Sequence, residues 1–313
     1  MANIDVKETP FISRVSKSRK ATNALFDWMV DRYDTPKISG TVDGKDVGDF
    51  ENHGQFRLKL HNYIQVFRRT AKVSRIAQDV SVVAGVKDEI AEGARKKLVE
   101  IKRDMEAAFL SDNDAQADNG IQEYLTCGLG KWISTTGPST FPITDAAYLP
   151  AAGQVITTAT ASLTEDDLQN MLASIFDVTG MSGDYSLLAG SILRRRVTDM
   201  TRTVANAGAS TSKVRTFSGP MGSKKIENTT TVFQGDFGNI DVEASNFIGF
   251  SSGSLTPDKD RGYLIDYSRL HLRYNKTPTV EKLTDNGGGP RILVEAMAGL
   301  QVDNPAGLGK FLP

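Results

Sequence analysis

Asp88-Glu89-Ile90-Ala91-Glu92-Gly93-Ala94-Arg95-Lys96-Lys97-Leu98-Val99-Glu100-Ile101-Lys102-Arg103-Asp104-Met105-Glu106-Ala107-Ala108-Phe109-Leu110 is the stretch on which the fold turns. Ile90, Ala94, Leu98, Ile101, Met105 and Ala108/Phe109 recur at the three- and four-residue spacing of one helical face, and charged residues fill the remainder. The spacing predicts a helix over 88–110, with Glu92–Lys96 and Arg103–Glu106 as surface pairs. At about 1.5 Å per residue it would run roughly 35 Å, enough to form the spine of a domain.

Upstream, the period changes to two. Phe26, Trp28 and Val30 alternate with Asp27, Met29 and Asp31, as in a strand with one buried face. A second strand is expected from Phe56, with Phe56, Leu58 and Leu60, then Ile64 and Val66, alternating against Arg57, Lys59, His61 and Gln65. Asp34 to Gly54 is rich in Gly and Asp and holds Pro36, so the pair reads as a long hairpin with a sizeable tip. Residues 1–22 are polar, without a sustained apolar period, and read as an arm.

Charge in the hairpin is sorted. Residues 34–51 carry Asp34, Asp43, Asp46, Asp49 and Glu51 against Lys37 and Lys45, whereas 57–75 carry Arg57, Lys59, Arg68, Arg69, Lys72 and Arg75 and no acid. A two-stranded ribbon alone buries too little apolar area to offset the entropy of ordering it, so it should lie on something. An acidic tip on one copy against a basic strand on the next would repeat head to tail, as rings and closed assemblies require. Cross-strand pairs within one ribbon are the alternative.

Downstream of Asp112 the chain is mixed. Ser162 with Glu165, or Thr164 with Asp167, proposes a capped helix carrying Leu168, Met171, Leu172, Ile175 and Phe176 on one face and ending at Gly180. A short apolar strand, Tyr185 to Ala189, and a helix from near Ser191 follow. Thr229 to Phe233 and Ile240 to Ala244 read as strands around a Gly235–Asn239 turn. Tyr263 to Leu283 and Arg291 to Val302 read as a final pair joined by Asp285-Asn286-Gly287-Gly288-Gly289-Pro290.

Composition narrows the function. The 313 residues, about two domains' worth of core, are 39% hydrophobic and carry 37 Lys+Arg against 38 Asp+Glu. The net charge of -1 supplies no global field toward nucleic acid or an anionic membrane. No signal peptide or spanning run is visible, so an unanchored cytoplasmic chain is expected. Cys127 alone can form neither an intramolecular disulfide nor a cysteine zinc site, and His53, His61 and His271 stand apart. Asp112, Asp114, Asp118 and Glu123 resemble a calcium loop, but Ala117 stands where glycine is needed, so a solvated acidic loop is expected. Gly128-Leu129-Gly130 and Gly219-Pro220-Met221-Gly222 lack phosphate-loop spacing and read as turns. No cofactor is implied. Gly249-Phe250-Ser251-Ser252-Gly253, with Asp266 and His271 downstream, matches a nucleophile elbow in residue order. Pro257 follows where a helix should begin, and Asp266 and His271 fall in one expected strand, so a serine hydrolase centred on Ser251 is the minor reading. Arg194-Arg195-Arg196 and the arm's Lys17, Arg19 and Lys20 could neutralise phosphates without reading bases.

The order of elements is arm, long ribbon, long helix, α/β body and returning hairpin, which resembles the tailed-phage major capsid proteins of the Hong Kong 97-type fold. Glu8-Thr9-Pro10-Phe11-Ile12-Ser13-Arg14, Ala21 to Trp28, Asn62 to Phe67 and Glu100 to Glu106 are similar to a capsid branch of short-tailed phages. Gly128 to Thr136 and Glu295 to Gly309 extend the likeness. The resemblance implies an α+β fold with an N-terminal arm (1–23) and an extended β-hairpin loop (24–76, tip about 34–54). A peripheral domain (77–111 and 263–302) would hold the spine helix 88–110, an antiparallel sheet and a hairpin tip at 285–290, and an axial domain would take 112–262 and 303–313. It implies a non-enzymatic protein that assembles through pentamers and hexamers into an icosahedral shell around double-stranded DNA. A separate scaffolding protein, a portal and a decoration protein would be further partners, and no membrane. The chain would be made in the host bacterial cytoplasm and reside in the virion capsid. Subunit contacts are expected at Asp43, Asp46, Asp49, Glu51, Arg57, Lys59, Arg68, Arg69, Asp285 and Asn286, and DNA-facing charge at Lys17, Arg19 and Lys20. An encapsulin-like compartment shell is the alternative within the fold.

Overall fold

A computed structural model describes residues 8–48, 50–79, 88–180, 182–200, 203–204, 213–214, 231–250 and 256–313. The chain enters through α1 (Pro10–Arg14) and β1 (Ser16–Lys17), then forms β2 (Leu25–Val30), β3 (Leu58–Tyr63), β4 (Gln65–Lys72), α2 (Arg75–Asp79) and the long α3 (Glu89–Phe109). Next come α4 (Leu129–Trp132), β5 (Val155–Ile156), α5 (Glu165–Thr179), β6 (Gly183–Ala189), α6 (Ser191–Met200), β7 (Thr203–Val204) and β8 (Lys213–Val214). β9 (Val232–Gly235), β10 (Gly238–Ala244), β11 (Gly262–Ile265), β12 (Leu270–Leu283), β13 (Arg291–Val302) and β14 (Gly309–Phe311) follow.

Two larger sheets organise these elements. One runs β1-β12-β13-β4 and lies under α3; the other runs β5-β14-β11-β6-β10-β9. Each has its own apolar core. Phe26, Trp28, Leu60, Ile101, Met105, Phe109, Trp132, Val294 and Leu300 belong to the first. Leu168, Met171, Leu172 and Ile175 of α5, Leu193 and Val197 of α6, and Leu187, Ile240, Val242, Leu264 and Phe311 of the six-stranded sheet form the second.

α3 matches its sequence reading at both ends. Asp88 caps it by accepting from Ile90 N–H at 3.0 Å and Ala91 N–H at 3.2 Å. Its apolar stripe is buried only toward the C-terminus, at Ile101, Met105 and Phe109, while Ile90, Ala94 and Leu98 are half-buried. The sheet beneath thins toward the start of α3: β1 pairs only with His271–Leu272, and β12 is exposed from Val280. The expected surface pairs also differ. Glu92 takes Arg95 at 2.7 Å, and Glu106 turns inward.

α5 is capped by Thr164 and not Ser162: Thr164 Oγ1 accepts from Asp167 N–H at 3.4 Å, and Asp167 Oδ2 accepts from Thr164 N–H at 2.7 Å. Gly180, at φ 66°, ends it in the left-handed conformation that glycine adopts without a Cβ penalty. The β9–β10 pair turns at Gly235–Gly238, and Thr229 and Thr230 lie outside the described residues.

Two expected continuous strands are each divided. The strand beginning at Phe56 pairs with β2 only through Tyr63, in the register Leu25↔Tyr63 to Val30↔Leu58. After Ile64 the chain changes sheets, and β4 pairs with β13 from Gln65↔Ala298 to Lys72↔Arg291. The buried side alternates through Leu60, Asn62 and Ile64 and then shifts by one, so Phe67 is buried and Val66 is exposed. Tyr263 to Leu283 divides likewise. β11 lies in the six-stranded sheet and β12 in the other, separated by the 3-10 turn Tyr267–Arg269. Asp266 holds that turn by accepting from Ser268 N–H at 2.9 Å.

The arm is less bare than its polarity predicts. Phe11, Val15 and Ala21 are buried, and β1 joins the four-stranded sheet in parallel with β12.

Candidate assembly surfaces

The β2–β3 ribbon is expected to lie on something, and its base lies on its own chain. Phe26 and Trp28 are buried with Leu60, and Trp28 Nε1–H donates to Val302 O at 3.1 Å. Asn62, fully buried, accepts from Cys127 N–H at 2.8 Å and donates to Leu300 O at 2.6 Å, fixing the joint between the two sheets. Gly299 has no side chain because a Cβ there would stand 2.5 Å from Phe26 Cε1.

The last ties to the body are Arg32, which pairs with Asp145 at 3.2 Å, and Phe56 O, which accepts from Tyr148 O–H at 2.7 Å; between them the support ends. Tyr33 is 99% exposed, Ile38 102%, Val42 75%, Val47 73% and Phe50 89%. Asp43 and Asp46 are exposed beside the turn at Gly44, and Glu51 pairs with Lys37 across the tip. Asp49 lies outside the described residues. Five large apolar side chains are thus exposed on one segment, and each would gain roughly 1.5–3 kcal/mol if fully buried.

The basic strand, in contrast, is largely answered within the chain. Arg57 pairs with Asp31 at 3.3 Å and Lys59 with Asp27 across the ribbon. Arg69 grips Asp104 of α3 with two bonds of 2.6 Å, and Arg75 reaches Asp285 at 3.0 Å. Arg68 donates to Glu295 at 2.9 and 2.6 Å, directly opposite in register. Arg68, then Lys276, hold the Glu295 carboxyl below the usual carboxylate range. These exposed cations therefore arrive at any intermolecular contact already paired. Asp285 also accepts from Gly287 and Gly289 N–H at 2.9 and 3.1 Å, shaping the β12–β13 tip on which Asn286 is exposed.

In the arm, Lys17 lies 5.7 Å from the Tyr274 ring centroid, and Arg19 and Lys20 are exposed. Arg196 donates to Leu163 O at 2.9 and 2.6 Å, which makes it a tie between α6 and the start of α5.

No catalytic arrangement emerges from the sequence candidates that can be followed. Ser251 lies outside the described residues. Asp266 holds its own turn and Arg269 at 3.0 Å, while His271 sits between Ser16 at 2.5 Å and Asp303 at 2.9 Å. The acidic loop is not simply solvated. Asp112 binds Lys310 at 2.5 Å and also Arg261; Lys310 further donates to Gly130 O at 2.8 Å, and burial pushes its ammonium pKa down. Asp114 accepts from Ser139 N–H, and Asp118 from Gly120 N–H, both at 2.7 Å. Gly128 precedes the short helix α4 instead of closing a turn, and the Gly219 segment lies outside the described residues. Burial pushes the Cys127 thiol pKa well up, keeping it protonated. Among the described residues no acidic, His or Cys cluster could hold a metal, and no helix is long and apolar enough to cross a membrane.

Sequence reasoning missed Asn62, Glu106 and the Asp112–Arg261–Lys310 group. Asn62, Glu106 and Lys310 are polar residues buried by tertiary structure, Asp112 and Arg261 are half-buried beside Lys310, and no local spacing distinguishes them from surface residues.

The same architecture recurs in shell proteins of tailed phages. The capsid of cyanophage P-SCSP1u superposes with a TM-score of 0.63 at 11% identity, over 99% of this chain and 90% of that one. The structure titled Mycobacterium phage Bobi gives 0.59 at 13%, over 99% and 92%. The SrpI encapsulin of Synechococcus elongatus PCC 7942 gives 0.52 at 13%, over 96% and 86%. At these identities the likeness establishes a mixed α/β shell fold of the Hong Kong 97 type. A comparison with curated protein sequences returns no match. The family model of the SU10 major capsid protein matches residues 1–312, and the chain belongs to that family, the major capsid proteins of tailed phages.

Proposed function

We propose that the chain self-assembles through pentamers and hexamers into an icosahedral shell around double-stranded DNA. The observation that carries this reading is the end of the hairpin, where Tyr33 and, in the tip at about 34–54, Ile38, Val42, Val47 and Phe50 are exposed while the base is anchored in the chain's own core. In this reading 24–76 is the extended loop laid over an adjacent subunit, with Asp43, Asp46 and Asp49 contributing to that contact. The α3 helix and four-stranded sheet serve as the peripheral domain, and the six-stranded sheet as the axial domain. The membership of β11 in the six-stranded sheet supports placing the boundary between the two near Tyr267 in this reading. The β12–β13 tip with Asp285 and Asn286 meets neighbouring capsomers, and Lys17, Arg19 and Lys20 face packaged DNA. A scaffolding protein, a portal and a decoration protein complete the particle, which is made in the host bacterial cytoplasm. The chain acts by structure and not by catalysis.

Sedimentation velocity of the purified chain, with and without a co-expressed scaffolding candidate and with negative-stain imaging of the fastest species, tests this. Rings of five or six subunits, or closed shells, are expected. A persistent monomer under both conditions would overturn it, and an enzyme cargo in place of DNA would assign the shell to an encapsulin-like compartment. Ester cleavage lost in Ser251→Ala would revive the hydrolase reading.

A further inference from the structure

Glu106 leaves the charged face of α3 and is fully buried. Its Oε1 accepts from Phe11 N–H at 2.8 Å and its Oε2 from Ile12 N–H at 2.9 Å, so both oxygens are committed to the first turn of the arm helix α1. Phe11, also fully buried, closes over the same place with its ring 6.3 Å from that of Tyr267. The arm is thereby fastened to the body by a carboxyl group shut away from water.

The groups around that carboxyl do not neutralise it. From the arm, Arg14 pairs with Glu243 at the end of β10 and lies 4.7 Å from the Tyr267 ring centroid. From the 3-10 turn comes Tyr267, whose buried hydroxyl has no hydrogen-bond partner, and the second oxygen of Glu243 is likewise buried and unpartnered. On α3 itself, Arg103 lies 5.8 Å from the Phe247 ring centroid. The arm's arginine is thus taken by Glu243.

We propose that α1 is a proton-held clasp: the arm stays closed over Glu106 while that side chain is neutral, and ionisation of the buried carboxyl opens it. Lifting the arm is the motion that admits water to the charge. The sign follows from the burial. Desolvation, only partly offset by the two N–H bonds, raises this carboxyl from 4.5 to about 7 with the arm closed. The closed state then binds the proton more tightly than the open one. Closure is favoured fully below about pH 4.5, weakens as the pH rises through about 7, and levels off above that. Opening would release Arg14 from Glu243 and free the segment that carries the exposed Lys17, Arg19 and Lys20. The clasp is a property of the single chain and does not depend on how the subunits assemble.

Hydrogen exchange of peptides spanning 8–22, in the full chain and corrected for intrinsic exchange rates, tests the clasp at about pH 5.5 and about pH 8.5. With an open-arm carboxyl near 4.5, protection should fall by about 30-fold between those conditions, while β13 peptides serve as an unchanged reference. Glu106→Gln, similar in shape and unable to ionise, should remove the pH dependence. Equal protection of the wild-type arm at both conditions would overturn the proposal, as would a wild-type slope retained in Glu106→Gln. If that variant does not fold, the wild-type profile decides alone, because a flat profile is incompatible with the clasp.

Discussion

The base and the tip of the hairpin both carry large apolar side chains and have opposite fates. Phe26, Trp28 and Leu60 at the base are core residues, while Tyr33, Ile38, Val42, Val47 and Phe50 at the tip are exposed. Apolar content does not separate them; polar anchoring does. The base has the Trp28 indole bond to Val302 and the Asn62 bonds to Cys127 and Leu300, which fix a register on the body. From Tyr33 to Gln55 the bonds among the described residues are local, namely the Lys37–Glu51 pair and turn bonds such as Lys45 N–H to Val42 O at 3.1 Å. One part of the hairpin is finished by its own chain, and the other is exposed.

The largest effect that would break this contrast is at the base. Trp28→Ala should cost about 3–5 kcal/mol of unfolding free energy by chemical denaturation, from a lost large side chain and an orphaned Val302 carbonyl. A midpoint equal to wild type would mean that the base is not core. Arg68→Ala should cost about 1 kcal/mol, because Glu295 keeps Lys276 but loses its principal partner. The stability due to this group is present above the ordinary carboxylate range and is lost as the pH falls through the depressed Glu295 value, so the penalty should shrink in acid. Arg69→Ala, at an exposed pair with Asp104, should cost about 0.2–1 kcal/mol and less in high salt.

Smallest in stability are changes at the tip. Ile38→Ser with Phe50→Ser, or Asp43, Asp46 and Asp49 all to Lys, should leave the unfolding free energy within about 0.5 kcal/mol of wild type. Particle yield by sedimentation should fall sharply in both. Normal yield from the charge-reversed protein would remove the acidic residues from the contact. A marked loss of stability in either would show that the tip, too, is anchored in the chain.

The elements most legible in the sequence were those whose period is a local property: α3, α5, β6 and β13 were found within one or two residues. The sheet changes at Ile64 and at Asp266–Arg269 were not legible. Alternation through Leu58, Leu60, Ile64 and Val66 continues across the first joint, and what breaks the strand is Asn62 reaching Cys127 and Leu300, far along the chain. The sorted charge was legible, but its main partners were not, since Asp104, Asp285 and Glu295 lie well away in sequence from the arginines they hold. Exposure at the tip, as at Asp43, Asp46 and Glu51, could be read because it needs no tertiary partner. Glu106 could not, because its neighbours came from the arm.

The order of strands also sets a timetable for synthesis. β4, made early, must wait for β13 at Arg291–Val302, and β14 at Gly309–Phe311 is an internal strand between β5 and β11. Neither sheet can close until the far end of the chain has left the ribosome. Long sequence separation makes such pairing slow and leaves apolar strand edges bare in the interval, when chaperone capture or aggregation competes with folding. A subunit that cannot complete its body early also cannot offer a finished docking surface to its neighbours while it is still being translated.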